Sequence, residues 1–250
     1  MFNEVVFNVV PERTGKINRI MIQDKLEQLD TPVASLSLGT FDFIGEITAK
    51  KQRTPDSELF HKVGAFFRPN YERGLLIYAL IKKFNLQSYL EIGYGRGYSC
   101  FCAALAFSEL GNGGKATTID PNLKEEQVQT LSQVFPAEWF QSIEFRAQTS
   151  DQYFASLDDD KFDLIYIDGD HRYEQVQKDW KNTKDRFGTF LLFDDYHMPG
   201  NVKKDMEVSA VVDAIDDYHK ELIIGDRRIF VDDRGYTDDQ IDYGQVLVSR

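Results

Sequence analysis

From about residue 70 onward, apolar and polar positions alternate between two periods along the chain. Ile77, Leu80, Ile81 and Phe84 follow the i, i+3, i+4, i+7 spacing of an amphipathic helix, with Asn70 placed to cap it. The short apolar run SYLEIG (88–93) predicts a buried strand. The alternation then repeats. YSCFCAALAFSEL (98–110) predicts a helix stopped by the glycines of GNGG, and KATTID (115–120) a strand. Residues 124–134 predict a helix, SIEFRA (142–147) a strand, TSDQYFASL a short helix and FDLIYID (162–168) a strand. Tyr173, Val176, Trp180 and Phe187 share one side of the next helix, which Gly188 ends, and TFLLFDD (189–195) predicts a fifth strand. Val208, Val211, Val212 and Ile215 mark a further helix. ELIIG (221–225), RIFV (228–231) and QVLVS (245–249) predict closing strands, the last two near enough to pair. Repeated βα units with near-continuous apolar strands imply an α/β fold: a doubly wound, mostly parallel sheet covered by helices on both faces. The strand-rich end suggests an antiparallel strand added at one edge.

Residues 1–69 break this rhythm and are expected to form a separate N-terminal extension beside a domain spanning 70–250. Thr54–Pro55 is a good helix start, followed by Leu59, Phe60, Val63 and Phe67. MIQDKLEQL (21–29) predicts another short helix. The aromatic residues Phe41, Phe43, Phe60, Phe66 and Phe67 suit a cap over the sheet edge, a surface for homo-oligomer formation, or a cover over a substrate pocket.

Composition narrows the partners. The chain has 250 residues, 42 % of them hydrophobic, which is enough for a core. With 29 basic against 41 acidic residues the formal net charge is −12, so the surface repels phosphate backbones and nucleic acid is not an expected partner. No apolar stretch approaches the roughly 20 residues of a membrane span, and the N-terminus has no basic region followed by an apolar core. Cys100 and Cys102 are not spaced as CxxC and read as small buried hydrophobes. A cytoplasmic setting without membrane attachment is expected.

Candidate chemistry enters at the strand ends. EIGYGRGYS follows a strand and opens a helix, where Gly93, Gly95 and Gly97 let the backbone turn tightly and approach a ligand. The spacing is GxGxG, whereas a dinucleotide fingerprint is GxGxxG. The turn therefore suits a ligand with adenosine and an amino acid but no pyrophosphate. Glu91 is placed either to meet an ammonium group or to organise the loop. Asp120 ends the following strand, where a carboxylate accepts bonds from both hydroxyls of an unphosphorylated ribose.

Together, LEIGYGRGYS, TTIDPN, FDLIYIDGDHRYEQVQKDW and LLFDDY resemble the class I S-adenosylmethionine-dependent methyltransferases. The resemblance is greatest to the small-molecule O-methyltransferase branch with its catechol-type and macrocin-type enzymes, and it covers residues 70–250. It implies S-adenosylmethionine as methyl donor and a seven-stranded Rossmann-like sheet with a reversed edge strand. The implied donor site contains Glu91, Gly93, Tyr94, Gly95, Ser99, Asp120 and Asp168, with Gln148 and Thr149 bordering the adenine.

FDLIYID ends in Asp168, and TFLLFDD ends in Asp194 and Asp195. In such a sheet these strands are neighbours. Three carboxylates converging at one crevice repel one another unless a cation sits between them, and oxygen ligands suit Mg²⁺ or Ca²⁺. The resemblance implies the same triad as a metal site that activates an acceptor hydroxyl. His171 stands where catechol-type enzymes carry a catalytic lysine, so His171 or Asp170 is the expected base. The plainer alternatives are a helix cap for Asp170, a solvated turn for His171 and ordinary loop chemistry for the Asp194–Asp195 pair. The expected activity is methyl transfer to a hydroxyl of a small molecule, a sugar or vicinal diol. Its rivals are a metal-independent methyltransferase, a silent donor-binding protein and a nicotinamide-dependent oxidoreductase.

Overall fold

The computed structural model describes residues 17–31, 37–38, 41–42, 71–196, 207–225 and 244–250. The expected helix after Thr54–Pro55, the cap at Asn70, the strand 228–231, His61 and His197 lie outside them.

An eight-stranded sheet organises the described residues. Its order is β1 (Asn18–Met21), β9 (His219–Ile224), β10 (Gly244–Ser249), β8 (Phe187–Tyr196), β7 (Phe162–Ile167), β4 (Ser88–Ile92), β5 (Lys115–Ile119) and β6 (Ile143–Arg146). A separate two-stranded pair is formed by β2 (Ser37–Leu38) and β3 (Phe41–Asp42). Within the large sheet, β10 alone runs antiparallel to both its neighbours, and the remaining pairings are parallel. Seven strands, β4 to β10, come from residues 70–250, as the sequence implies. The reversed strand lies towards one edge with β9 and β1 outside it, and the eighth strand comes from the extension. β1 pairs in parallel with β9, so part of the extension completes the sheet.

Period-two alternation along the strands sorts residues onto two faces. Tyr89, Leu164, Tyr166, Phe190 and Leu192 pack into one core layer with α1 (Ile22–Gln28), α2 (Tyr71–Phe84), α3 (Tyr98–Leu110), α4 (Glu125–Ser132) and α5 (Ala137–Ser142). Leu90, Ile165, Ile167, Leu191 and Phe193 pack into the other with α6 (Ser150–Ala155), α7 (Tyr173–Thr183) and α8 (Val208–Asp213). Helix α3 shows no amphipathic stripe because every residue from Tyr98 to Phe107 is buried. Gly111 ends it in a left-handed conformation. Its contact with α2 is close: a Cβ on Gly74 would lie 2.3 Å from the Tyr98 ring and 2.6 Å from Cys102 Sγ. Cys100 and Cys102 are free and buried. No helix among the described residues is long and apolar enough to cross a membrane.

The helix α5 (Ala137–Ser142) was not expected, and the boundary after α7 is displaced. Helix α7 stops at Thr183, and Phe187 and Gly188 begin β8, with Phe187 paired to Phe162. Phe187 falls seven residues after Trp180, a helical spacing. Its burial instead comes from the strand, where its ring lies 6.5 Å from that of Trp180.

Candidate active site

The carboxyl ends of β4, β5, β6 and β7 open on one side of the sheet, where ligands bind in folds of this kind. The glycine turn after β4 is built by backbone constraint. Gly93 has φ of 99°, and a Cβ there would meet the Asp168 carbonyl oxygen at 2.2 Å. The turn after β4 thus packs directly on the chain leaving β7. The Asp168 amide closes this junction by donating to the Ile92 carbonyl at 2.8 Å. Gly95 also has positive φ, and a Cβ there would meet nothing within 4 Å, so its outer side is open to a ligand.

Asp120 sits beside that turn. Its Oδ2 accepts from the Gly95 amide at 3.1 Å and its Oδ1 from the Asn122 amide at 2.7 Å. A carboxylate oxygen has two lone pairs, so both oxygens keep capacity for hydroxyl donors. Glu91 is wholly buried. It accepts from the Ser99 hydroxyl, from Thr118 Oγ1 at 2.6 Å and from the Tyr89 hydroxyl at 3.2 Å. Burial pushes its pKa up to about 8, against the opposing pull of the Ser99 and Thr118 bonds. Of its two expected roles, this geometry fits organisation of the loop. Ser99 is spent on the same latch. Tyr94 turns its side chain inward, where its ring meets Phe145 edge-on with centroids 5.7 Å apart; only its backbone belongs to the turn's outer surface. Beyond β6, the Gln148 amide donates to the Arg146 carbonyl at 3.0 Å, and Thr149 caps α6 in a reciprocal pair with Gln152. The Thr149 hydroxyl is therefore engaged by the helix it starts.

The acidic cluster differs in membership from the expected triad. Asp168, His171 and Asp195 each bring a ligand atom within 4.8 Å of the others. His171 Nε2 lies 3.3 Å from Asp168 Oδ1 and 3.3 Å from Asp195 Oδ2. Asp194 is not in this group and is buried to 1 % exposure. The pleat supplies the reason: successive side chains of a strand point to opposite faces, so Asp194 and Asp195 do not converge on one point. A bulge completes the arrangement. Two residues of β8, Asp194 and Asp195, stand opposite Gln245 alone, between the Val246–Phe193 and Gly244–Tyr196 pairs. Asp195 takes φ of 54° there. Bulges re-aim side chains in this way, and Asp195 meets His171.

Asp170 is also placed otherwise than a base requires. It accepts from the Arg172 amide at 3.0 Å and from Arg172 Nε at 3.0 and 2.9 Å. The guanidinium holds its carboxyl below the usual range. Its work is to close the turn before α7.

Three supporting residues were not singled out from the sequence. The Tyr166 hydroxyl donates to Asp168 Oδ2 at 3.3 Å, and the Gln245 amide reaches Tyr166 at 3.4 Å. Tyr166 carried a signal, since it lies two residues before Asp168 and shares its strand face. Glu207 holds the His171 loop from the start of α8. Its amide donates to the His171 carbonyl at 2.9 Å, and its carboxylate accepts from the Tyr173 amide at 3.0 Å. Gln245 and Glu207 lie far along the chain from the motifs, and nothing local marks them.

Comparison with known proteins bears on the fold and on residues 90–196. Residues 90–196 match the model of a methyltransferase domain family. A candidate O-methyltransferase from Klebsiella pneumoniae is 17 % identical with a TM-score of 0.57, covering 85 % of this chain and 98 % of its own. The O-methyltransferase of tomaymycin synthesis from Streptomyces achromogenes, solved with S-adenosylmethionine, is 16 % identical with a TM-score of 0.55, covering 92 % and 99 %. An O-methyltransferase from Bacillus cereus, solved with S-adenosylhomocysteine, is 15 % identical with a TM-score of 0.57, covering 92 % and 100 %. No curated protein sequence matches the chain. Residues 90–196 thus match a methyltransferase domain, and the described residues share the fold of these O-methyltransferase structures.

Proposed function

We propose that the protein methylates a hydroxyl group of a small molecule at the Asp168–His171–Asp195 cluster. The observation that carries this reading is the position of His171 Nε2, 3.3 Å from a carboxylate oxygen on each of two neighbouring strands and next to the glycine turn. S-adenosylmethionine supplies an electrophilic methyl on a sulfonium. The chain's part is to seat that donor against Gly93 and Gly95, with Asp120 accepting from the ribose hydroxyls. The O-methyltransferases from Streptomyces achromogenes and Bacillus cereus, solved with this donor or its product, favour the same assignment.

Two carboxylates and an imidazole within 4.8 Å form a donor set that fits a divalent cation. When bound, such an ion lowers the pKa of an acceptor hydroxyl. The imidazole changes the expected metal. An all-oxygen set favours Mg²⁺ or Ca²⁺, whereas a mixed oxygen–nitrogen set suits Mn²⁺, Fe²⁺ or Zn²⁺. Tyr166 and Glu207 hold Asp168 and the His171 backbone in register for this task.

The same distances favour a second reading, in which no metal is needed. His171 then takes the acceptor's proton on Nε2, and Asp168 and Asp195 stabilise the imidazolium that forms. Asp170 is set aside as base in both readings because Arg172 occupies its carboxyl. Methyl transfer from labelled donor to a panel of sugars, diols and phenols, with and without chelator, separates them. The first reading expects loss on chelation and recovery with Mn²⁺ before Mg²⁺. Full activity in chelator supports the second, and no transfer to any acceptor while donor binds contradicts both.

A further inference from the structure

We infer that Asp179 is a positioning residue for the donor pocket: from α7 it orients Gln175, which holds Ser150 and so the turn that borders the crevice beyond β6. The inference rests on donor binding at the carboxyl ends of the strands.

The geometry is specific. The Gln175 side-chain amide donates to Ser150 Oγ at 3.0 Å and to Asp179 Oδ1 at 3.1 Å. One NH₂ group thus serves both, so Asp179 acts on Ser150 through Gln175. Ser150 directly follows Thr149, whose side chain and amide are locked to Gln152. Upstream, the Gln148 amide is bonded to the Arg146 carbonyl, and the Asp120 amide to that same carbonyl at 3.1 Å. The segment 147–149 is therefore pinned at its start to the strand end that carries Asp120, and at its finish to α7. Its own side chains are partly or fully exposed on the crevice side of the sheet.

Stability does not account for a carboxyl at this point. Asp179 is 0 % exposed, and its Oδ2 has no hydrogen-bond partner. Burial pushes its pKa up to about 6, although the nearby Ser150 and Gln175 side chains oppose the rise. An apolar side chain at this buried position of α7 would avoid that cost. What it would not do is fix the direction of Ser150. The polar grip defines where α6 begins, and with it the position of the turn between Asp120 and α6.

The test is calorimetric titration of S-adenosylhomocysteine into wild type, Ser150→Ala, Asp179→Leu and Asp179→Asn, with the melting temperature of each. Asp179→Leu keeps a filled core, and Asp179→Asn keeps an acceptor for Gln175. The expected result is a dissociation constant raised about tenfold in Ser150→Ala and Asp179→Leu, at melting temperatures equal to or above wild type, with Asp179→Asn restoring most of the affinity. Two results overturn the inference: folded variants that bind within about twofold of wild type, or affinity losses that merely track falls in melting temperature. Wild type that binds no S-adenosylhomocysteine would instead remove the donor reading on which the inference stands.

Discussion

At the scale of single residues, the site depends on groups that are costly to bury and are retained where geometry needs them. Glu91 is the clearest case. It ties β4, β5 and the start of α3 together through three hydroxyl groups. Its folded pKa of about 8 lies above its ordinary value of 4.5. A raised pKa means that the folded protein holds this proton more tightly than the unfolded chain. The stability linked to it is complete below pH 4.5 and is lost as pH rises through about 8, an effect on the order of a few kcal/mol for so buried a group. Thermal melting from pH 5 to 9.5 should therefore show wild type losing stability up to about pH 8 and levelling off above it, while Glu91→Gln loses less. Parallel curves would show that Glu91 is ionised throughout. The sequence placed Glu91, Gly93, Asp120 and Asp168 correctly at strand ends because the change from apolar run to polar turn is a local signal. It could not separate Asp194 from Asp195, since their divergence depends on the pleat, the bulge opposite Gln245 and the left-handed backbone of Asp195. Nor could it tell that Arg172 takes up Asp170.

At the scale of elements, the decisive junction lies between the turn after β4 and the end of β7. Gly93 packs against the Asp168 carbonyl with no room for a methyl group, at a φ that side-chain-bearing residues rarely adopt. The donor turn and the acidic cluster are therefore set by one contact. Gly93→Ala should damage both together: a dissociation constant for S-adenosylhomocysteine raised at least about tenfold and a stability loss of about 1–3 kcal/mol by denaturant unfolding. Normal donor affinity in that variant would mean that the turn moves independently of β7. Helices α2, α7 and α8 were legible from apolar periodicity and α3 from its long apolar run and glycine stop, whereas α5 carried no such signal. Phe187 was assigned to the wrong element because a residue seven positions after Trp180 satisfies the helical period as well as a strand start. Only pairing with Phe162 distinguishes the two.

At the scale of the whole molecule, two apolar layers sandwich one sheet, and part of the N-terminal extension belongs to it. β1 adds to β9, α1 buries Ile22 and Leu26 in the same core layer as α2, and Lys25 pairs with Glu221. Removing residues 1–31 should expose the β9 edge and the apolar face that α1 covers. The truncated protein should melt several degrees lower and associate at micromolar concentration, by scanning calorimetry and light scattering. An unchanged, monodisperse protein would assign β1 and α1 no part in stability. The extension was the least legible part of the chain because its strand is short and pairs with a partner about 200 residues away, a relation that local periodicity does not carry.

Both forms of the proposed chemistry pass through His171, so its removal is the most direct test. The measurement is the rate of transfer of a labelled methyl group from S-adenosylmethionine to the accepted hydroxyl compound by wild type and His171→Ala, with S-adenosylhomocysteine affinity measured on the same samples. We predict a fall of at least about 100-fold in rate, the usual share of a base or an aligned ligand, with donor-site affinity within about twofold. A variant that transfers methyl groups at the wild-type rate would contradict the assignment of the reaction to this cluster.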